Sequence, residues 1–171
     1  KSSDYDALGG IPTHYPNLIY ADLQLWLDLT QKSYLAIDPS TQFSFRIHAS
    51  TTKTSKDKIL LDAFIYFLDY LNELKAASPA LGQIIQENAQ KFCESTTKAI
   101  AHRLLRTPRD LRKGLSIDHM ITKIESKCIA LDSAYEPLKI NSIRLARTIE
   151  TYPILNDLFL LFKKLYKKPV L

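Results

Sequence analysis

The clearest periodicity in the chain begins after Thr54. Ile59, Leu60, Ala63, Phe64, Phe67, Leu68, Leu71 and Leu74 recur at the three- and four-residue steps of one helical face, behind a capping-box pattern of Thr54 and Asp57. This helix should end near Ala77, because Ser78 and Pro79 supply an N-cap and a first helical residue for the next. The second helix turns Leu81, Ile84, Ile85, Ala89, Phe92, Thr96, Ala99, Ile100 and Leu104 inward and forms a helical hairpin with the first. Ser116 opens a third, with Ile117, Met120, Ile121, Ile124, Cys128 and Leu131 inward and its end before Pro137. A shorter one from about Leu138 to Thr151 places Ile140, Ile143, Ala146 and Ile149 on one side, and Tyr152 and Pro153 start the last, PILNDLFLLFKKLYKK.

The first third of the chain is harder to read. Residues 1–17 hold Gly9, Gly10, Pro12 and Pro16 without an apolar period, the pattern of a loop or arm. In residues 18–37, Leu23, Leu25, Leu27 and Leu29 alternate as in a strand, yet Ile19, Leu23, Trp26, Leu27, Thr30 and Tyr34 share a helical face. Leucine favours helix and Asn17 is a suitable N-cap, so a helix is the preferred reading. Phe43, Phe45, Ile47 and Ala49 alternate with Ser44, Arg46 and His48, the strongest strand signal in the chain. The expected fold is therefore mainly α, a compact array of five to six helices in a single domain over residues 18–171, with a small β-hairpin or an extended segment allowed within residues 20–50.

Composition fits this picture. The chain has 171 residues, of which 46% are hydrophobic, 24% are charged and only 4 are glycine, a globular and helix-rich profile. No apolar run approaches the roughly 20 residues of a spanning helix. Two cysteines, Cys93 and Cys128, suit reduced thiols in a reducing compartment such as the cytosol. The chain opens on Lys1, which reads as a fragment of a larger protein.

Charge divides unevenly along the chain. Residues 1–90 carry 7 Lys and Arg against 10 Asp and Glu, whereas residues 91–171 carry 16 against 8. A basic half of this kind favours anionic partners. Its densest stretch, HRLLRTPRDLRKG at 102–114, is largely helix punctuation: Arg103 and Arg106 suit a helix C-terminus, Thr107, Pro108 and Asp110 restart the chain, and Gly114 is a left-handed stop. Arg109, Arg112 and Lys113 are not explained in this way.

Most catalytic constellations find little support. A helix-turn-helix over 109–124 would place Asp110 where a small residue is needed and Asp118 near phosphates, so nucleic acid is a less favoured partner. The four histidines, His14, His48, His102 and His119, stand at no recognised metal-ligand spacing, and neither metal nor cofactor is implied. No G-x-S-x-G elbow or phosphate loop is present. Asp62, Asp69 and Glu73 share one helical side, which is read as a solvated face. Cys93 or Cys128 with a histidine partner is the one enzymatic alternative, and it needs a thiolate that an apolar stripe disfavours.

The last segment carries more information. Ile154, Leu155, Leu158, Phe159, Leu161, Phe162 and Leu165 fill one arc, and Asn156, Asp157, Lys163, Lys164, Lys167 and Lys168 fill the other, with Leu160 among the lysines. That pattern serves a terminal helix that completes the core, and it equally serves a helix lying in a lipid interface. The function read from these features is a non-catalytic helical binding domain whose basic half engages an anionic surface, foremost a negatively charged membrane or phosphoinositide. Arg109, Arg112, Lys113, Arg144, Arg147, Lys163, Lys164, Lys167 and Lys168 are the candidate contacts. The alternative is a protein-interaction module for an acidic or helical partner. In texture, with many helices, scattered tyrosines and no metabolic motif, the chain loosely resembles secreted effector domains of intracellular bacteria, which implies a host cytosol as the setting.

Overall fold

A computed structural model of the chain describes residues 2–32 and 56–166. The strand signal at 43–49, the Thr54 cap, Lys167 and Lys168 lie outside the described residues. Those described are mainly α: α1 (Ser2–Ala7), α2 (Ala21–Lys32), α3 (Asp57–Ala77), α4 (Pro79–Arg106), α5 (Ile117–Leu131), α6 (Asn141–Thr151) and α7 (Pro153–Leu165), with 3-10 turns at Pro16–Leu18, Arg109–Arg112 and Pro137–Lys139. Two compact units, residues 1–67 and 68–171, divide the chain.

Within residues 1–67, the stretch read from sequence as a loop or arm holds the short helix α1, which contacts α2. The glycines that suggested a loop act as its stop: Gly9 and Gly10 take φ of 78° and 81°, and the Gly10 N–H returns to the Tyr5 carbonyl. The helical alternative holds for residues 23–29, because leucine's helix preference outweighs the alternation. Its cap is not Asn17, which sits in the preceding 3-10 turn at φ 54°; the helix starts at Ala21, with the Gln24 N–H bonded to the Tyr20 carbonyl. Tyr20 itself has φ 71° and stacks on Phe67 at 5.1 Å between ring centroids, and burial raises its phenol to about 12.

Residues 68–171 contain the site. The α3–α4 turn follows the sequence: Ser78 Oγ accepts from the Leu81 N–H and Pro79 is the first helical residue. A side chain at Gly82 would meet the Lys75 carbonyl at 3.0 Å, so the hairpin is tight at that point. The buried face of α4 is rotated from the predicted one. It runs through Gly82, Ala89, Cys93, Thr97, Ile100, Ala101, Leu104 and Leu105, while Ile84 is exposed. Thr97 explains part of the rotation, because its hydroxyl is paired with the buried Tyr135 hydroxyl at 2.8 Å and so tolerates the interior.

All six residues assigned to the inner face of α5 are buried, and Ser116 caps the helix by accepting from the His119 N–H at 3.0 Å. At its other end, Lys75 Nζ donates to the carbonyls of Ala130 and Leu131 at 2.9 and 2.8 Å, satisfying groups a helix C-terminus leaves open. Cys93 and Cys128 are both buried and free, with thiols within hydrogen-bonding reach of each other. Ile143 and Ala146 anchor α6, as expected, and α7 contacts both α4 and α6.

Candidate functional site

Most of the functional geometry lies around the 105–117 turn and α7. Thr107 proves to be the C-cap of α4, its N–H bonded to the Leu104 carbonyl, and not the N-cap of a new helix. The chain then makes the short 3-10 turn, reverses through Lys113 at φ 52° and Gly114 at φ 80°, and enters α5. This tight reversal brings two arginines inward.

Arg112, read from sequence as an anion-surface residue, is buried, with only 3% of its side chain exposed. Its guanidinium is saturated from within: Nε donates to the Thr107 carbonyl at 2.6 Å, one terminal nitrogen to Glu150 Oε1 at 2.7 Å, and the other to Asn156 Oδ1 at 3.0 Å. The physical reason is the turn itself, whose inward carbonyls need a donor, and a planar fork of five N–H groups can serve several acceptors at once. Arg109 stays partly exposed but is also engaged, donating from Nε to Asn156 Oδ1 at 3.2 Å and from a terminal nitrogen to the Glu150 carbonyl.

Glu150 completes the arrangement. Its second carboxylate oxygen accepts from the Ile117 N–H, the first of α5, at 2.6 Å. One α6 carboxylate therefore neutralises Arg112 and caps a helix N-terminus. Asn156, which the wheel assigned to the polar outer face of α7, is 1% exposed and accepts from both arginines. Arg109, Arg112, Glu150 and Asn156 form a clamp that ties the turn to α6 and α7.

This clamp fixes which way α7 faces. With Asn156 inward, Phe159, Leu160 and Lys163 are the other partly shielded positions. Leu160, anomalous among the lysines on the wheel, thereby gains an apolar rationale. Phe159 lies edge-on to His102 at 6.0 Å between ring centroids, and Lys163 Nζ stands 5.0 Å from the centre of the Phe159 ring. Shielding from water, then the nearby Lys163 and Arg106, lower the His102 pKa below its usual value.

The apolar arc points the other way. Ile154, Leu158, Leu161 and Leu165 are 74%, 54%, 54% and 72% exposed, with Leu155 and Phe162 also exposed beside them. A helix that completed the core would bury this arc.

Arg147 pairs with Asp118 at 2.6 Å, Arg144 donates to Asn141 at 2.9 Å on the exposed side of α6, and Lys113 and Lys164 are exposed. A separate cleft of about 500 Å³ is lined by Gln90, Glu94, Lys98, Glu136, Lys139 and Asn141 among others. Its charges cancel in pairs, Glu94 with Lys98 at 3.2 Å and Glu136 with Lys139 at 2.6 Å, so it offers no net field to an ion.

For the thiols, the Cys93 hydrogen bond and burial both push the Cys128 pKa up, opposite to what a nucleophilic thiolate requires. No helix among the described residues is long and apolar enough to cross a membrane. Sequence reasoning missed Glu150 and Asn156. The one available signal was a polar residue followed by Asp157 within an otherwise apolar ILNDLFLLF run. Compared with protein-family models, with curated proteins and with solved structures, the chain matches none.

Proposed function

We propose that the chain is a peripheral binding module that lays α7 on a negatively charged membrane. The observation that supports this most is the outward apolar arc of α7, held in place by a polar contact on its inner side. Partial insertion would recover a fraction of the roughly 1.5–3 kcal/mol that full burial of each Leu or Ile is worth. Lys164 at the edge can direct its ammonium group to acidic head groups, and Lys163, whose Nζ stands over the Phe159 ring, can swing from it to do the same, at about 1 kcal/mol each near the surface. Lys167 and Lys168 follow directly in sequence. Lys113 and Arg144 are further exposed cations available to the same field, whereas Arg109 and Arg112 serve as positioning residues for α7.

The test is co-sedimentation with vesicles of neutral phosphatidylcholine, of mixed phosphatidylserine, and of phosphoinositide-doped lipid, at low and physiological salt. Wild type should pellet with the acidic vesicles only and weaken as salt rises. Changing Lys163, Lys164, Lys167 and Lys168 together to Glu should abolish pelleting with the circular dichroism spectrum unchanged. Equal recovery with neutral and acidic vesicles, or none with either, would refute the proposal.

A further inference from the structure

The exposed residues of α7 have a finer order than a generic apolar arc. Ile154, Leu158, Leu161 and Leu165 are spaced four, three and four, which is the alternating seam of a coiled coil. Taking Leu158 and Leu165 as the a positions and Ile154 and Leu161 as the d positions, the clamp residue Asn156 and the shielded Phe159, Leu160 and Lys163 all fall on the outer b, c and f positions. Among the described residues, the body of the unit therefore lies at the back of the helix and the four seam residues stay exposed. The flanking positions are equally regular. Both g residues are charged, Asp157 and Lys164, and both e residues are apolar, Leu155 and Phe162. Neither Asp157 nor Lys164 makes an ion pair among the described residues.

These positions select a partner. In an antiparallel pair of α7 helices related by a two-fold axis, a packs on d, so Ile154 meets Leu165 of the other copy and Leu158 meets Leu161. In the same register g lies beside g and e beside e, so Asp157 faces Lys164 twice and Leu155 faces Phe162 twice. Such self-complementarity is what an isologous interface requires. The parallel arrangement would set g against e and leave Asp157 on Phe162. A 13-residue helix is too short to hold its shape and pair alone, but here the clamp has already ordered it.

From the seam and its matched charges we infer that α7 is a homodimerisation helix, pairing antiparallel with α7 of a second copy in water. The inference does not rest on the membrane reading. The two states would compete for the same leucines, so lipid would draw on the monomer.

Sedimentation equilibrium in lipid-free buffer, from low micromolar to submillimolar protein, tests the pairing through charge reversal outside the apolar seam. Wild type should pass from monomer to dimer with concentration. Asp157→Lys sets two lysines against each other and Lys164→Glu two acids, so each alone should lose the dimer. An equimolar mixture of the two variants should regain it as a heterodimer, and the double variant D157K/K164E should regain it as a homodimer. A wild-type monomer throughout the range, or a dimer indifferent to both reversals, overturns the inference. Asp157→Lys also adds a positive charge, so if the membrane reading holds it should bind acidic vesicles at least as well as wild type, which separates failure of one idea from failure of the other.

Discussion

Arg112 shows how much of this structure rests on single polar side chains. It is the most buried cation in the basic 102–114 stretch, and its partners come from the turn, α6 and α7 at once. Removing one partner of a buried pair leaves the other charge uncompensated, so Arg112→Ala should destabilise the fold by about 3–5 kcal/mol in urea titration. Arg147→Ala breaks only the half-exposed pair with Asp118 and should cost about 0.2–1 kcal/mol by the same measurement. Equal effects of the two variants would contradict the clamp. The thiols make a second residue-scale case. With Cys93 and Cys128 both buried, Ellman's reagent should find no reactive thiol in the native protein and two after denaturation.

At the scale of elements, α5 and α7 have similar apolar content and opposite fates. Ile124 of α5 is fully buried, so Ile124→Ala should cost about 2–5 kcal/mol. Leu158→Ser and Leu161→Ser on the outward side of α7 should stay within about 0.5 kcal/mol of wild type, as exposed positions do. The docking of α7 also carries a pH dependence. His102, beneath Phe159, has its pKa lowered in the folded state, so between that value and about 6.5 the unfolded chain binds more protons. Its contribution is present above about pH 6.5 and is lost as pH falls through the folded-state value, because the imidazolium would form beside Lys163 and Arg106. The urea midpoint should fall on acidification through this window, and His102→Gln should flatten that part of the curve.

For the whole molecule, the α-helical class and most helix boundaries were legible because they rest on local chemistry. Ser78 with Pro79, Ser116, and Pro153 mark starts wherever the rest of the chain lies, and the α5 stripe is apolar at every inward position. What could not be read depends on distant partners. A basic run looks like surface until a turn supplies the carbonyls that draw Arg112 in, and Asn156 looks solvated until two arginines need its oxygen. The same blindness made the apolar stripe of α7 compatible with an inward or an outward face. Within residues 1–17, Gly9 and Gly10 were visible, but the single helical turn and a half before them is too short for periodicity to register.

The central claim is that the outward face of α7 meets acidic lipid, and a solvent-sensitive fluorophore at that face tests it most directly. Leu161→Cys would carry the label, with Ser142→Cys, exposed on α6, as a control site; the native thiols are buried. In dilute protein, adding phosphatidylserine vesicles should shift the emission of the label at 161 to the blue and leave that at 142 unchanged, while neutral vesicles should move neither. An unshifted label at 161 with every vesicle, or equal shifts at both sites, would contradict the account.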